Sequence, residues 1–188
     1  MNRTLPIRMT VDEFLRWSER QERGRYELER GTVICMPTQS VGHVLIKQRA
    51  YAALADAIAR AGVPYYALPD GTAVRIAADR SYEPDALVAP LPRPPLSSLE
   101  IVDPIIVVEV LSTWSIRRDL TTKVAGYSSV RTILHYLIVD PEAREVLHYR
   151  RNGGLLVPPA DPLTSGLLWL DPPGLEVAIA EMLGPQPP

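Results

Sequence analysis

The chain of 188 residues is long enough to close one hydrophobic core of ordinary domain size. With 46% apolar and 22% charged residues it has a globular composition, and no run approaches the ~18 consecutive apolar residues of a membrane span. Twenty basic against 22 acidic residues give a net charge of −2, which excludes a global basic field, so any contact with a polyanion has to be local or metal-mediated. The start MNRTLPIRMT lacks an apolar signal segment and the lone Cys35 excludes an internal disulfide framework; a reducing cytoplasm is the expected compartment. The 19 prolines cluster at 90–95, 158–162, 172–173 and 185–188, where they mark loops and a tail rather than a linker between two cores.

Along the chain, Thr10 followed by Val11, Phe14, Leu15 and Trp17 has the cap and spacing of a short helix. Arg25–Leu28 and Thr32–Met36, separated by a turn containing Gly31, read as a hairpin. From about His43 to Ala61, Val44, Tyr51, Leu54, Ile58 and Ala61 recur at helical spacing and predict the longest helix, ended by Gly62 and Pro64. Tyr65–Leu68 and Thr72–Ile76 flank a Pro-Asp-Gly turn, and Asp85–Val88 and Pro104–Leu111 read as further strands. A helix capped at Ser112 to Ser115 and running to about Tyr127, then a strand Ile133–Val139, complete a β-helix-β unit at 104–139. Strands at Glu145–Tyr149, Leu155–Val157 and Leu167–Leu170 and a last helix at Leu175–Leu183 follow. The pattern is α/β or α+β, a single domain with one mixed sheet.

The most informative residue is Glu109, one carboxylate inside the otherwise apolar strand run Ile105–Leu111. A charge there costs several kcal/mol unless it is paired, hydrogen-bonded or bound to metal. The competing reading is a buried ion pair with an arginine or lysine. Asp85 heads the apolar run Ala86–Val88 and puts a second carboxylate at the mouth of another strand, although Pro-Asp alone also suits a turn. Two strand-borne carboxylates suit a hard cation, Mg²⁺ or Mn²⁺. Lys123 shares a helical stripe with Asp119 and Tyr127 and can reach the end of the Glu109 strand; otherwise it is solvated surface or an i,i+4 partner of Asp119. Glu27 is a possible fourth acid or an exposed strand residue. Ser112 lacks a Gly-x-Ser-x-Gly frame and reads as a cap. The three histidines and Cys35 lack zinc spacing, His43 near a helix start reads as structural, and no dinucleotide or Walker motif is present.

An ordered set of segments then resembles the Uma2 family, formerly a domain of unknown function. These are Met9–Leu15, Tyr26–Gly31, His43, Glu83–Val88, Val107–Ser112, Asp119, Lys123, Tyr127 and Tyr136–Pro141, over about residues 9–183. The resemblance implies a restriction-endonuclease-like PD-(D/E)xK fold, a mixed sheet flanked by helices; beyond it the prolines mark 184–188 as a flexible tail. It implies Asp85 and Glu109 as catalytic acids and metal ligands, Lys123 as the catalytic lysine and Glu27 as an accessory acid. Tyr127 matches the family's helix tyrosine, and His43 is an accessory position. Trp114-Ser115-Ile116 departs from the Ser/Thr-rich turn that the family often has, and Arg131–His135 lacks the usual glutamate before Tyr136.

Two functions of different class follow. One is a Mg²⁺- or Mn²⁺-dependent endonuclease hydrolysing DNA; the other is a nuclease-fold binding or assembly module without turnover. A homodimer is expected for two-strand cutting, with the edge runs Glu145–Tyr149 and Leu167–Leu170 as candidate apolar surface and no membrane partner.

Overall fold

The computed structural model describes residues 8–185. Helix α1 (Val11–Ser18) starts at Thr10, whose hydroxyl and the Glu13 carboxylate form a reciprocal capping box. The hairpin β1 (Arg25–Glu29) and β2 (Thr32–Met36) pairs antiparallel through the turn at Gly31, which takes a positive φ of 77°. Helix α2 (Val41–Ala61) begins at Ser40 and ends at left-handed Gly62. Strands β3 (Tyr65–Pro69), β4 (Ala73–Ala77), β5 (Arg80–Tyr82), β6 (Ala86–Pro90), β7 (Glu100–Ile101) and β8 (Ile106–Val110) follow.

After β8 the chain passes through a π-helical segment, Arg118–Lys123, into α3 (Val124–Ser129) and returns as β9 (His135–Asp140). Strands β10 (Glu145–Asn152), β11 (Leu155–Val157), β12 (Leu167–Leu170) and β13 (Leu175–Ala178) and helix α4 (Ile179–Leu183) complete the described chain.

Six strands form the central mixed sheet in the order β11-β10-β9-β8-β6-β3, in which β8 and β9 are parallel and the other pairs antiparallel. The expected β-helix-β unit is the parallel β8–β9 crossover. Alternation along β8 sends Val108 and Val110 to one face, against α2, α4 and the β12–β13 hairpin, and Val107 and Leu111 to the other, with Tyr127, Tyr136 and Tyr149.

Several expectations are corrected. One mixed sheet was expected; a five-stranded sheet, β2-β1-β5-β4-β7, and the two-stranded β12–β13 stand beside the central one. The short strands β5 and β7 carry too few residues to show a period in sequence. Leu175–Leu183 is half strand, because Leu175 and Val177 alternate into the core before Ile179 turns helical. The burial stripe of α2 is Lys47, Ala50, Ala53, Leu54 and Ala57, and the expected Val44 and Ala61 are exposed: the alanines let the sheet approach closely. Strand β10 is interior, since β11 covers its outer edge, whereas β12 has one partner. Of the expected tail, residues 186–188 lie outside the described residues.

Candidate active site

Pairing of β6 with β8 sets Ala86 opposite Val108, which puts Asp85 on the rung beside Glu109. The Asp85 amide donates to the Val108 carbonyl (2.9 Å), and Asp85 Oδ2 accepts from the Val110 amide (2.7 Å), so the carboxylate is pinned to the strand that carries the second acid. Lys123 arrives from the crossover. Its Nζ lies 2.7 Å from Glu109 Oε1, 2.9 Å from Glu27 Oε1 and 3.5 Å from Asp119 Oδ1. The Tyr127 hydroxyl donates to the same Glu109 Oε1 at 2.7 Å. His43, in the first turn of α2, places Nε2 4.0 Å from Asp85 Oδ2. All the expected site residues therefore meet. Asp85, Glu109, Lys123 and His43 line one cleft of about 530 Å³, with Glu27 and Tyr127 behind it.

Burial corrects two alternative readings. Lys123 is 1% exposed and Glu27 fully buried, so neither is a solvated surface group. The ion-pair reading of Glu109 and the site reading coincide: its charge is paired, and the partner is Lys123. Burial, together with the neighbouring carboxylates of Asp119, Asp85 and Glu27, pushes the Glu109 carboxyl well above its ordinary value despite Lys123. Burial opposes the Lys123 ammonium, but Glu109, Glu27 and Asp119 outweigh it and hold the amine well above its usual range. Glu27 goes the other way: burial would raise it, and Lys123 and Arg118 bring it down. Burial lowers His43 despite Asp85 beside it.

Three charged residues were not singled out from the sequence. Lys47 on α2 is buried, with Nζ 2.9 Å from Asp85 Oδ1 and 2.5 Å from Asp70 Oδ2. Arg25 on β1 binds Glu83 at 2.7 Å and approaches Asp85 at 4.0 Å, and Arg118 binds Glu27 Oε2 at 2.6 Å. Buried Asp119 completes the network, its carboxyl raised by burial against the pull of Lys123. A signal existed for Lys47, a cation on the alanine stripe of a buried helix face. For the arginines there was none, because their partners lie 58 and 91 residues away.

The donor set fits a hard divalent cation. Asp70, Glu83 and Asp85 share Arg25 and Lys47, and Glu27, Glu109 and Asp119 share Arg118 and Lys123, so carboxyls outnumber these cations in both groups. Both hydrogen bonds to Glu109 fall on Oε1; among the described residues Oε2 takes none. Among the described residues no three His, Cys, Asp or Glu side chains gather to enclose an ion alone.

Strand-borne acids beside a lysine from the crossover, on a mixed sheet flanked by helices, make an α+β protein with a buried charged site. The fold aligns with a solved structure described as a putative nuclease belonging to DUF820, from Anabaena variabilis ATCC 29413, at a TM-score of 0.68 and 18% identity, covering 93% of this chain and 97% of that one. A family model, Uma2, described as "Putative restriction endonuclease", matches residues 11–180, and the chain belongs to that family. No curated protein matches it with significance. Among the described residues no helix is long and apolar enough to cross a membrane.

Proposed function

We propose that the protein is a divalent-metal-dependent endonuclease that hydrolyses DNA phosphodiester bonds. The observation that carries this reading is the meeting of Asp85, Glu109 and Lys123 in one cleft. Asp85 and Glu109 would hold Mg²⁺ or Mn²⁺, which when bound supplies a more acidic water and neutralises charge on the phosphoryl oxygens. Lys123 offers an ammonium to the phosphate oxygens as their charge grows. Glu27 and Asp119 hold that ammonium in place, and Tyr127 fixes the Glu109 carboxylate by its hydroxyl. A homodimer, giving one site per strand, extends the proposal.

A second reading, a binding or assembly module without turnover, is favoured by one observation: Asp85 and Glu109 are each already paired with a lysine. The two separate on Mn²⁺. The nuclease reading expects Mn²⁺ to raise the melting temperature of the wild type, with the rise lost in Glu109→Gln, and expects cleavage of at least one DNA substrate with Mg²⁺ or Mn²⁺. A wild type whose melting ignores Mn²⁺ and which cuts neither duplex nor single-stranded DNA would leave only the module. A full Mn²⁺ shift in Glu109→Gln would overturn its role as a ligand.

A further inference from the structure

Lys47 departs from the rest of its helix face. The other buried residues of α2 are Ala50, Ala53, Leu54 and Ala57, and this one side chain, 3% exposed, brings a charge among them. Three oxygens surround its ammonium, as many as it has N–H groups to offer: Nζ lies 2.5 Å from Asp70 Oδ2, 2.9 Å from Asp85 Oδ1 and 3.1 Å from Gln39 Oε1. Gln39 and Asp85 line the cleft, and Lys47 stands behind them. It is therefore a partner of the acid rather than of a substrate.

Oxygens converging on one point, two of them from carboxylates, are the donor set that a hard cation selects. Here the cation belongs to the chain. Glu109 shows the same arrangement with Lys123, whose Nζ lies among Glu109, Glu27 and Asp119. Each acid of the cleft thus gives one oxygen to a buried ammonium. What remains for an ion is Glu109 Oε2, which takes no hydrogen bond among the described residues, and Asp85 Oδ2, which accepts from the Val110 amide and keeps a second lone pair. Two ions held about 3.5–4 Å apart, as in two-metal hydrolases, share ligands, and the second would need Asp85 Oδ1 or Glu109 Oε1. Both oxygens carry ammoniums that would repel it at contact distance. We infer that Lys47 is a resident cation standing where a second metal would bind Asp85, so that the cleft takes a single divalent ion. The inference rests on the nuclease reading and sets the metal content of its site. Without Lys47, Asp70, Glu83 and Asp85 would share Arg25 alone, and Glu83 holds Arg25 at 2.7 Å while Asp70 and Asp85 lie 3.5 and 4.0 Å from it.

The test counts Mn²⁺ bound per chain, from the electron paramagnetic resonance of the free ion during titration of the full chain without DNA, with melting curves to show that each variant is folded. The wild type should bind one. Lys47→Ala should bind two, because the three oxygens then face a place without its ammonium. Adding Asp70→Asn to Lys47→Ala should bring the count back to one, since the second ion loses a carboxylate. Lys47→Gln, which puts an uncharged amide there, should also bind two and answers the question if the alanine variant does not fold. Two ions on the wild type would overturn the resident cation and leave the nuclease reading standing. A count of one in folded Lys47→Ala or Lys47→Gln would do the same, as would two in the double variant, which would put the second ion elsewhere. No Mn²⁺ on the wild type would remove the nuclease reading and this inference with it.

Discussion

Lys123 carries two loads that pull its substitution in different directions. In the proposed reaction, as the ammonium nearest the acids, it would stabilise charge building on a phosphate; as the centre of a buried cluster it keeps Glu27, Glu109 and Asp119 from facing one another unshielded. Lys123→Ala should therefore lower cleavage by roughly 10²-fold or more. It should also destabilise the fold by about 3–5 kcal/mol, because the carboxylates left behind have no water to turn to. Denaturant unfolding and single-turnover kinetics on the same preparation separate the two effects. Cleavage at the wild-type rate would return Lys123 to a purely structural role. A surface lysine, as one reading of the helix spacing had it, would show neither loss.

The crossover that carries Lys123 is positioned by close packing against Tyr82. Gly126, between Lys123 and Tyr127, has no room for a side chain: a Cβ there would lie 2.5 Å from Tyr82 Cε2. Tyr82 cannot swing away cheaply, since its hydroxyl donates to Glu29 at 2.7 Å and its ring meets Tyr127 edge-on at 5.5 Å. Gly126→Ala should cost about 1–3 kcal/mol by overpacking and, by lifting the helix, reduce cleavage further than the stability loss explains. Unchanged melting and activity would mean that the helix has slack the packing does not suggest. The π-helical turn just before α3 belongs to the same device. Such turns are rare and occur mostly at functional sites; this one ends on Lys123 and leads into the helix that carries Tyr127, so that both side chains reach Glu109.

Two properties belong to the whole assembly of sheets. His135 on β9 and His148 on β10 are 2.8 Å apart, and His135 Nε2 donates to the Pro172 carbonyl at 2.9 Å, which makes its Nδ1 the acceptor for His148. Burial pushes both rings down to about 4. The unfolded histidines titrate near 6.5, so below that pH the unfolded chain takes up protons the folded one refuses. Their contribution to stability is whole above about pH 6.5 and lost progressively as pH falls towards about 4. Melting should fall between pH 7 and pH 5, and the slope should be shallower in His148→Gln; parallel slopes would exclude the pair as its source. The second property is assembly. β11 is one edge of the central sheet and exposes Leu155 by 66%, and β12 exposes Trp169 by 55%. A homodimer covering Trp169 should show dimer mass in light scattering and monomer mass in Trp169→Glu. Monomer mass for the wild type at micromolar concentration would end that proposal.

Elements with many residues in one period were legible in the chain: the capped helix α1, the Gly31 hairpin, the long α2 and the apolar β8 each declare themselves through local spacing and local caps. Glu109 stood out for the same reason, as a charge breaking a buried run, and Asp85, Lys123 and Glu27 followed by their order along the chain. The rest depended on distance in space. Nothing local distinguishes Arg118 from Arg117, yet one binds Glu27 and the other faces solvent. The face of α2 that is buried, the split into three sheets, the covering of β10 by β11 and the pairing of Lys47 with Asp85 are set by which surfaces pack together. Periodicity fixes which side chains share a face. Only tertiary packing fixes what that face meets, because the carboxylate of Glu109 finds its cation 14 residues on, at the end of a crossover whose path the strand pairing dictates.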